Sequence, residues 1–385
     1  MLFLLICFAI FIDSVLYGVV IPIIPAFTRI NNIPAYILGL IFALYPATIL
    51  IFSLPLGILA DKRGRKPLIL IGMFGLALAT VIFALARSAS VLFLSRFFQG
   101  LAAAATWTAG LAVISDIFPP EKRGEKIGIA MTASGLGLLI GPVIGGVLSE
   151  WYGYAFPFYA CTFFTLIIGI SFIFVKFERG PKEKIASWPI PWRDANLILS
   201  CVTIILGIAG LGMLEPLLPL YLMERFLVNK GSVGILFGSI ALAYVISQPV
   251  FGRLTDLYGR KPFILAGFIA TAALCPLITQ ANSFYLVFII CSLLGISLGL
   301  LVTPAMALLT EVFDKRKGAS YGISAGVFNI AYSIGLVLGP IFGTVSYEHM
   351  GFSRTFIFYA VIMLLIGIAI FNMRIPRRNP GKAVF

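Results

Sequence analysis

Apolar residues along this chain come in runs of about twenty, each closed by a short polar or charged cluster, and many contain a glycine or proline. A run of that length suits one helix crossing a hydrocarbon layer of ~30 Å at ~1.5 Å per residue. The pattern predicts twelve helices, at residues 2–25, 35–60, 67–87, 90–118, 124–149, 154–177, 196–223, 231–257, 262–281, 283–311, 317–346 and 352–373. Helices are expected rather than strands, because a lipid-exposed segment must satisfy its backbone hydrogen bonds internally. The first run has no basic segment before it and stays apolar past Asp13 to Ile24, so it reads as a membrane helix rather than a cleaved leader.

Composition agrees with this class. Hydrophobic residues make up 60% of the 385 and charged residues only 11%. Mean hydropathy is +1.06. No soluble domain could cover its surface with so few polar side chains.

The net charge of +13 changes the picture only through its distribution. Of the 28 lysines and arginines, all but six fall in the even-numbered loops, the connector near 176–193 or the C-terminal stretch. The exceptions are Arg29, Arg87, Arg225, Lys230 and Arg354, in the other loops, and Arg96 inside a helix. By the positive-inside rule the even loops and both termini are expected in the cytoplasm. Basicity then reports topology, and nucleic acid is not an expected partner. Five cysteines stand singly in apolar runs without metal-site spacing, so no metal and no cofactor are expected. One histidine, no Asn-x-Ser/Thr sequon and short loops favour a prokaryotic plasma membrane. Neither a zinc-protease helix motif nor a Walker loop occurs, so an enzyme or an ATP-driven pump is not expected.

The chain also repeats itself. "GILADKRGRKPLIL" at 57–70 returns as "GRLTDLYGRKPFIL" at 252–265, and Asp116 returns as Glu311. "GLLIGPVIGG" at 137–146 is echoed by "GLVLGPIFGT" at 335–344, and "PIIP" at 22–25 by "PLLP" at 216–219. Same-order repeats of six helices imply two bundles related by an axis along the membrane normal. The expected organisation is an N-terminal bundle at 1–177, a cytoplasmic connector at 178–195 carrying Trp188 and Trp192, and a C-terminal bundle with a short tail at 196–385.

At these motifs the chain resembles the major facilitator superfamily. Gly57, Asp61, Arg65 and Lys66 match that family's loop 2–3 motif, and "SRFFQG" at 95–100 resembles its helix 4 motif. Gly137, Gly141, Pro142, Gly145 and Gly146 resemble its proton-antiporter signature in helix 5. Physically, Asp61, Arg65 and Asp116 can form a charged latch at the cytoplasmic face, with Asp256, Arg260 and Glu311 doing the same in the second half. A latch that breaks and reforms is a two-state element, if the halves rock. The alternative is that these charges only anchor topology. Small residues on one face of helix 5, with a proline at its middle, permit close packing and a kink.

Of 15 acidic residues, only Asp13 and Glu215 lie well inside helices, in the equivalent helices 1 and 7. An ionised carboxylate at the bilayer centre costs roughly 2.5–3.5 kcal/mol even on a lenient scale. Such a group faces a cavity or a partner, and the one membrane-embedded cation is Arg96. Two acids against one base leave about one negative charge, which a proton or a cationic substrate could neutralise. A protonated, hydrogen-bonded core role for either acid stays open, as does a purely structural role for Arg96.

A closer resemblance lies in "FIDSVLYGVVIPIIP" (11–25), "GMLEPLLPLYLMERF" (212–226) and "AYVISQPVFGRLTDLYGR" (243–260), which look like the vesicular amine transporters and their bacterial multidrug relatives. The resemblance implies that Asp13 and Glu215 serve proton coupling and recognition of a substrate ammonium, with Phe42, Tyr221 and Tyr244 as aromatic walls of the amine pocket. It also shows departures. Further acids in helices 10 and 11 and a helix 2 lysine of the vesicular proteins fall at Val302, Asn329 and Tyr45 here, which leaves Tyr45 and Asn329 as a neutral pair. The expectation is a monomeric, proton-coupled antiporter that exports organic amines or drugs. An exporter of neutral or zwitterionic drugs is the alternative, and an uncoupled facilitator comes after it.

Overall fold

The computed structural model describes residues 1–30, 33–177, 191–314 and 321–372. Most of the expected connector, with Trp188, and the basic clusters at 315–317 and in the tail lie outside these residues. The described chain is helical throughout: α1 (Leu2–Ile30), α2 (Ala35–Arg63), α3 (Arg65–Ala84), α4 (Ala89–Ile117), α5 (Pro120–Tyr152), α6 (Phe156–Phe174), α7 (Ala195–Arg225), α8 (Lys230–Tyr258), α9 (Lys261–Gln280), α10 (Phe284–Asp314) and α11 (Tyr321–Asn372). All eleven are long and apolar enough to cross a membrane.

The last helix accounts for the difference from twelve. Its 52 residues break at Gly351, where φ is 79° and ψ 172°, so 321–350 and 352–372 are two arms, each of membrane-spanning length. The break has a counterpart in the first repeat, where Gly153 has φ 88° and ends α5. Gly64 (φ 99°) and Gly259 (φ 85°) form a second such pair, at the α2–α3 and α8–α9 turns. A positive φ of this kind costs a side-chain-bearing residue energy that glycine does not pay.

Two lysines repeat as well. Lys66 at the start of α3 donates to the carbonyls of Ile173 and Val175, at 2.7 and 2.9 Å, and lies over the Phe177 ring. Lys261 at the start of α9 donates to the Phe371 carbonyl at 2.8 Å and lies over that ring. Each satisfies carbonyls that a helix end leaves without donors.

By contact grouping the chain divides into two units. The first contains Met1–Ala186, Met213–Gly238 and Pro340–Val345; the second contains Ser187–Gly212, Ser239–Gly339 and Ser346–Phe385. In the first unit α1 packs along α5, α3 packs on α4 and α6, and α2 on α4. In the second, α9 packs on α10.

Glycines set the α1–α5 spacing. A Cβ at Gly137, Gly141 or Gly145 would come within 2.5–2.6 Å of the carbonyl oxygens of Phe11, Val15 and Val19, respectively. These three glycines lie four residues apart, on one helical face. Backbones this close gain dispersion contact and leave no room for a side chain. The seam repeats in the second unit, where a Cβ at Gly335 would lie 2.7 Å from the Ile205 carbonyl oxygen and Gly339 faces Ala209.

Candidate functional site

The seam fixes the register of α1 and turns Asp13 inward. Asp13 is buried, and its Oδ2 accepts two hydrogen bonds of 2.7 Å, from the Tyr45 hydroxyl on α2 and the Trp107 indole on α4. Tyr17 follows Asp13 by one helical turn, on the same face. Its hydroxyl donates at 2.7 Å to Oε2 of Glu215, which is buried in the part of α7 that belongs to the first unit. The Tyr17 and Tyr45 rings touch, with centroids 5.2 Å apart. Two phenol–carboxylate pairs therefore stand side by side.

Arg96 of α4 joins them. It is fully buried, with its Cζ 5.5–5.9 Å from the ring centroids of Tyr17, Phe42, Tyr45 and Phe83. It makes no direct ion pair with either acid among the described residues, yet lies within electrostatic reach of both. Its Nη1 donates to Gln99 at 3.4 Å, while Nε and Nη2 have no hydrogen-bond partner among the described residues. Oδ1 of Asp13 has none either. A guanidinium boxed by rings is held by cation–π attraction, worth ~2 kcal/mol or more when desolvated. Two carboxylates and one guanidinium give a net charge of −1 when all are ionised. A buried site pays heavily for that unbalanced charge. One proton or one organic cation would balance it.

Other sequence-derived candidates fall as follows. Phe42 is buried, with the Arg96 guanidinium 5.7 Å from its ring centroid. Tyr221 lies six residues beyond Glu215, edge-on to Phe226 and under Arg225. Tyr244 is on α8 in the second unit and bonds to Gln248. Asn329 is exposed on α11 in the second unit, and the Tyr45 hydroxyl of the first unit donates to Asp13. Val302 is buried in α10.

The charged residues near the helix ends do gather. Arg65 pairs with Asp61 and, at 3.2 Å, with Asp116. Arg260 pairs with Glu311 at 2.6 Å and donates to the Ala307 carbonyl at 2.7 Å, while Asp256 is exposed. Pro142 packs against Gly18 of α1, and its carbonyl faces Gly234 of α8; Gly146 faces the backbone of Lys230.

Tyr17 and Trp107 were not foreseen from the sequence. Tyr17 carried a usable signal, its one-turn spacing from a buried acid. Trp107 carried a weaker one, as a tryptophan at mid-helix rather than at a helix end where interfacial tryptophans gather. The Gly-x-Ser-x-Gly spacing of hydrolase elbows does occur, at 295–299 and 322–326, but both lie inside helices. No strand–turn–helix elbow presents either serine, and Ser297 is buried with its hydroxyl 3.0 Å from that of Thr271.

Comparison with known proteins places this arrangement in context. A model described as Major Facilitator Superfamily matches residues 6–199 and 200–385. The chain is 27% identical over 349 residues to the synaptic vesicular amine transporter of Bos taurus, spanning 89% of this chain and 67% of that protein. It is also 27% identical over 391 residues to the MFS-type transporter SLC18B1 of Homo sapiens, spanning 95% and 85%. Among solved structures, a bacterial homolog of the human lysosomal transporter Spinster, inward-facing and occupied, superposes with a TM-score of 0.82 at 14% identity, over 96% of this chain and 95% of that one. The human organic anion transporter MFSD10 superposes with a TM-score of 0.68 at 17% identity, over 96% and 98%. Helices that span a membrane, two related halves and a family match over both of them lead to one assignment: the chain belongs to the Major Facilitator Superfamily, a family of multi-pass membrane transporters rather than enzymes.

Proposed function

We propose that this transporter is a proton-coupled antiporter that exports organic amines, aromatic or lipophilic cations among them, by alternating access. One observation carries the reading: Asp13 and Glu215 are both buried beside a single guanidinium, Arg96, so the site is one positive charge short of neutrality. A proton and a substrate ammonium are equivalent in that balance, and whichever binds displaces the other. Aromatic rings next to the acids suit an organic ammonium. Relatives named as amine transporters support the substrate class.

In this reading the two sequence halves, 1–177 and 196–385, rock about the site, with Tyr221, Tyr244 and Asn329 contributing from the second half. The Arg65 pairs with Asp61 and Asp116, and the Arg260–Glu311 pair beside Asp256, are latches that open and close with each cycle. The Gly137–Gly146 signature keeps α5 close to its neighbours in one of the two states. Both termini face the cytoplasm of a prokaryotic cell, and the monomer is the working unit.

The test uses proteoliposomes without ATP and a permanently charged quaternary aromatic cation, which a pH gradient alone cannot trap. An inside-acid gradient should drive its accumulation above that in protein-free liposomes, and a protonophore should abolish the excess. Accumulation indifferent to the gradient would sink the antiport reading. An exporter of neutral drugs would move an uncharged probe and leave the cation outside.

A further inference from the structure

We propose that Tyr17 is a positioning residue that makes Glu215 and Asp13 one coupled proton site. Its hydroxyl holds Glu215 near the guanidinium that also faces Asp13. The role in transport rests on the antiport reading; the geometry does not.

Tyr17 touches three members of the site. Its hydroxyl reaches Glu215 at 2.7 Å, its ring meets the ring of Tyr45 at 5.2 Å, and Arg96 lies 5.6 Å from its centroid. A phenylalanine would keep both ring contacts and lose the bond to Glu215. The hydroxyl is therefore the separable element. The ionisable groups acting on Glu215 are Tyr17 on α1, which donates to it, and Arg96 on α4, which also feels Asp13 on α1 and Tyr45 on α2. Residues 340–345 of α11, whose Gly343 packs on Met213 and Leu217, carry no ionisable side chain, and neither does the 137–146 face of α5.

Arg96 is shared, so ionisation at one acid changes what remains of its attraction for the other. Acids coupled in this way release protons as a pair rather than as two independent groups. Coupling requires that Glu215 stay near Arg96. Glu215 has three rotatable side-chain bonds and no direct ion pair among the described residues, so the Tyr17 hydroxyl sets its position.

The test is infrared titration of the purified protein in lipid nanodiscs between pH 5.5 and 8.5. The Glu215 carboxyl band is assigned by its loss in Glu215→Gln. In the wild type, Asp13→Asn should shift the Glu215 midpoint by about one pH unit or more, the size expected of interacting sites. In a Tyr17→Phe background the same change should shift it by less than a third as much. If Asp13→Asn moves the midpoint equally with and without the Tyr17 hydroxyl, or in neither case, the proposal is wrong. Should Tyr17→Phe not fold, Glu215→Asp draws the carboxylate back from the hydroxyl by one methylene and allows the same comparison. In proteoliposomes, Tyr17→Phe should lose about tenfold in proton-driven accumulation, the equivalent of one hydrogen bond to a charged group. The infrared measurement needs no transport. A chain that moves no amine would therefore refute antiport while the Tyr17 coupling was judged on its own result.

Discussion

Replacing Gly141 with alanine tests whether the spacing of α1 and α5 sets the geometry of the site above it. A Cβ there would lie 2.6 Å from the Val15 carbonyl oxygen and 3.0 Å from the Gly18 Cα. Both are backbone atoms, which no change of rotamer can move. Bringing the first contact to an ordinary 3.4 Å parts the helices by about 0.8 Å, an overpacking that costs ~1–3 kcal/mol. Val15 lies between Asp13 and Tyr17, so both side chains move with it. Their hydrogen bonds, Tyr45 to Asp13 and Tyr17 to Glu215, are each 2.7 Å, and stretching either by about 0.8 Å takes it to the edge of hydrogen bonding. A binding site tolerates roughly 0.5 Å of displacement, and a hydrogen bond to a charged group contributes ~1.5–3 kcal/mol. The expected outcome is an amine Kd at least about tenfold weaker, together with a lower melting temperature. Radiolabelled amine binding and thermal unfolding in nanodiscs measure the two. Gly128→Ala on the same helix meets nothing within 4 Å and serves as the control. Wild-type affinity and melting temperature in Gly141→Ala would refute the link between helix spacing and site.

Glu215→Gln should remove both high-affinity amine binding and its pH dependence. In the wild type, affinity for a quaternary ammonium should fall as pH drops from 8.5 to 5.5, because proton and cation compete for one carboxylate; an unchanged slope in Glu215→Gln would remove Glu215 from the exchange. Asp13→Asn should chiefly damage proton-driven accumulation while some binding remains, measured by comparing uptake with equilibrium binding on the same preparation. Asp61→Asn removes one partner of Arg65, half-exposed near the end of α2, and should lower turnover more than affinity; lost binding with normal exchange would contradict a latch. Lys66→Met deletes donors to two carbonyls at the end of α6 and should lower stability by about 1–2 kcal/mol, read as a fall in melting temperature with amine affinity unchanged.

Helix number and order were readable because lipid permits one local solution. A twenty-residue apolar run must hydrogen-bond to itself, so hydropathy alone gives a helix. Ends were less readable. The apolar run for α1 was expected to stop at residue 25, yet the helix runs to Ile30 through Pro22 and Pro25. α5 was expected from 124, but starts at Pro120, a residue suited to a first turn because it needs no donor there. The boundary near 350 was placed almost correctly, although the helix continues on both sides of it. What separates the two arms is a single glycine φ.

The candidate site was readable as charge and unreadable as hydrogen bonding. Counting acids and bases inside apolar runs singles out Asp13, Glu215 and Arg96, because an ion in hydrocarbon is costly enough to be rare. Tyrosine and tryptophan carry no such cost, and this chain has 14 tyrosines, so Tyr17 and Trp107 looked like any amphipathic ring in a membrane helix. Their importance comes from direction, which the α1–α5 seam decides: with Gly137, Gly141 and Gly145 against α1, the face bearing Asp13 and Tyr17 turns toward Tyr45, Trp107 and Glu215. The glycine motif of α5 and the buried acids, noted in the sequence as separate motifs, thus belong to one packed arrangement. Small residues on α5 let α1 approach, and that approach lets α1 offer a carboxylate and a phenol on one face. A substitution that enlarges the seam should therefore act on proton coupling without touching an ionisable group. Charge counting alone would give no reason to expect that.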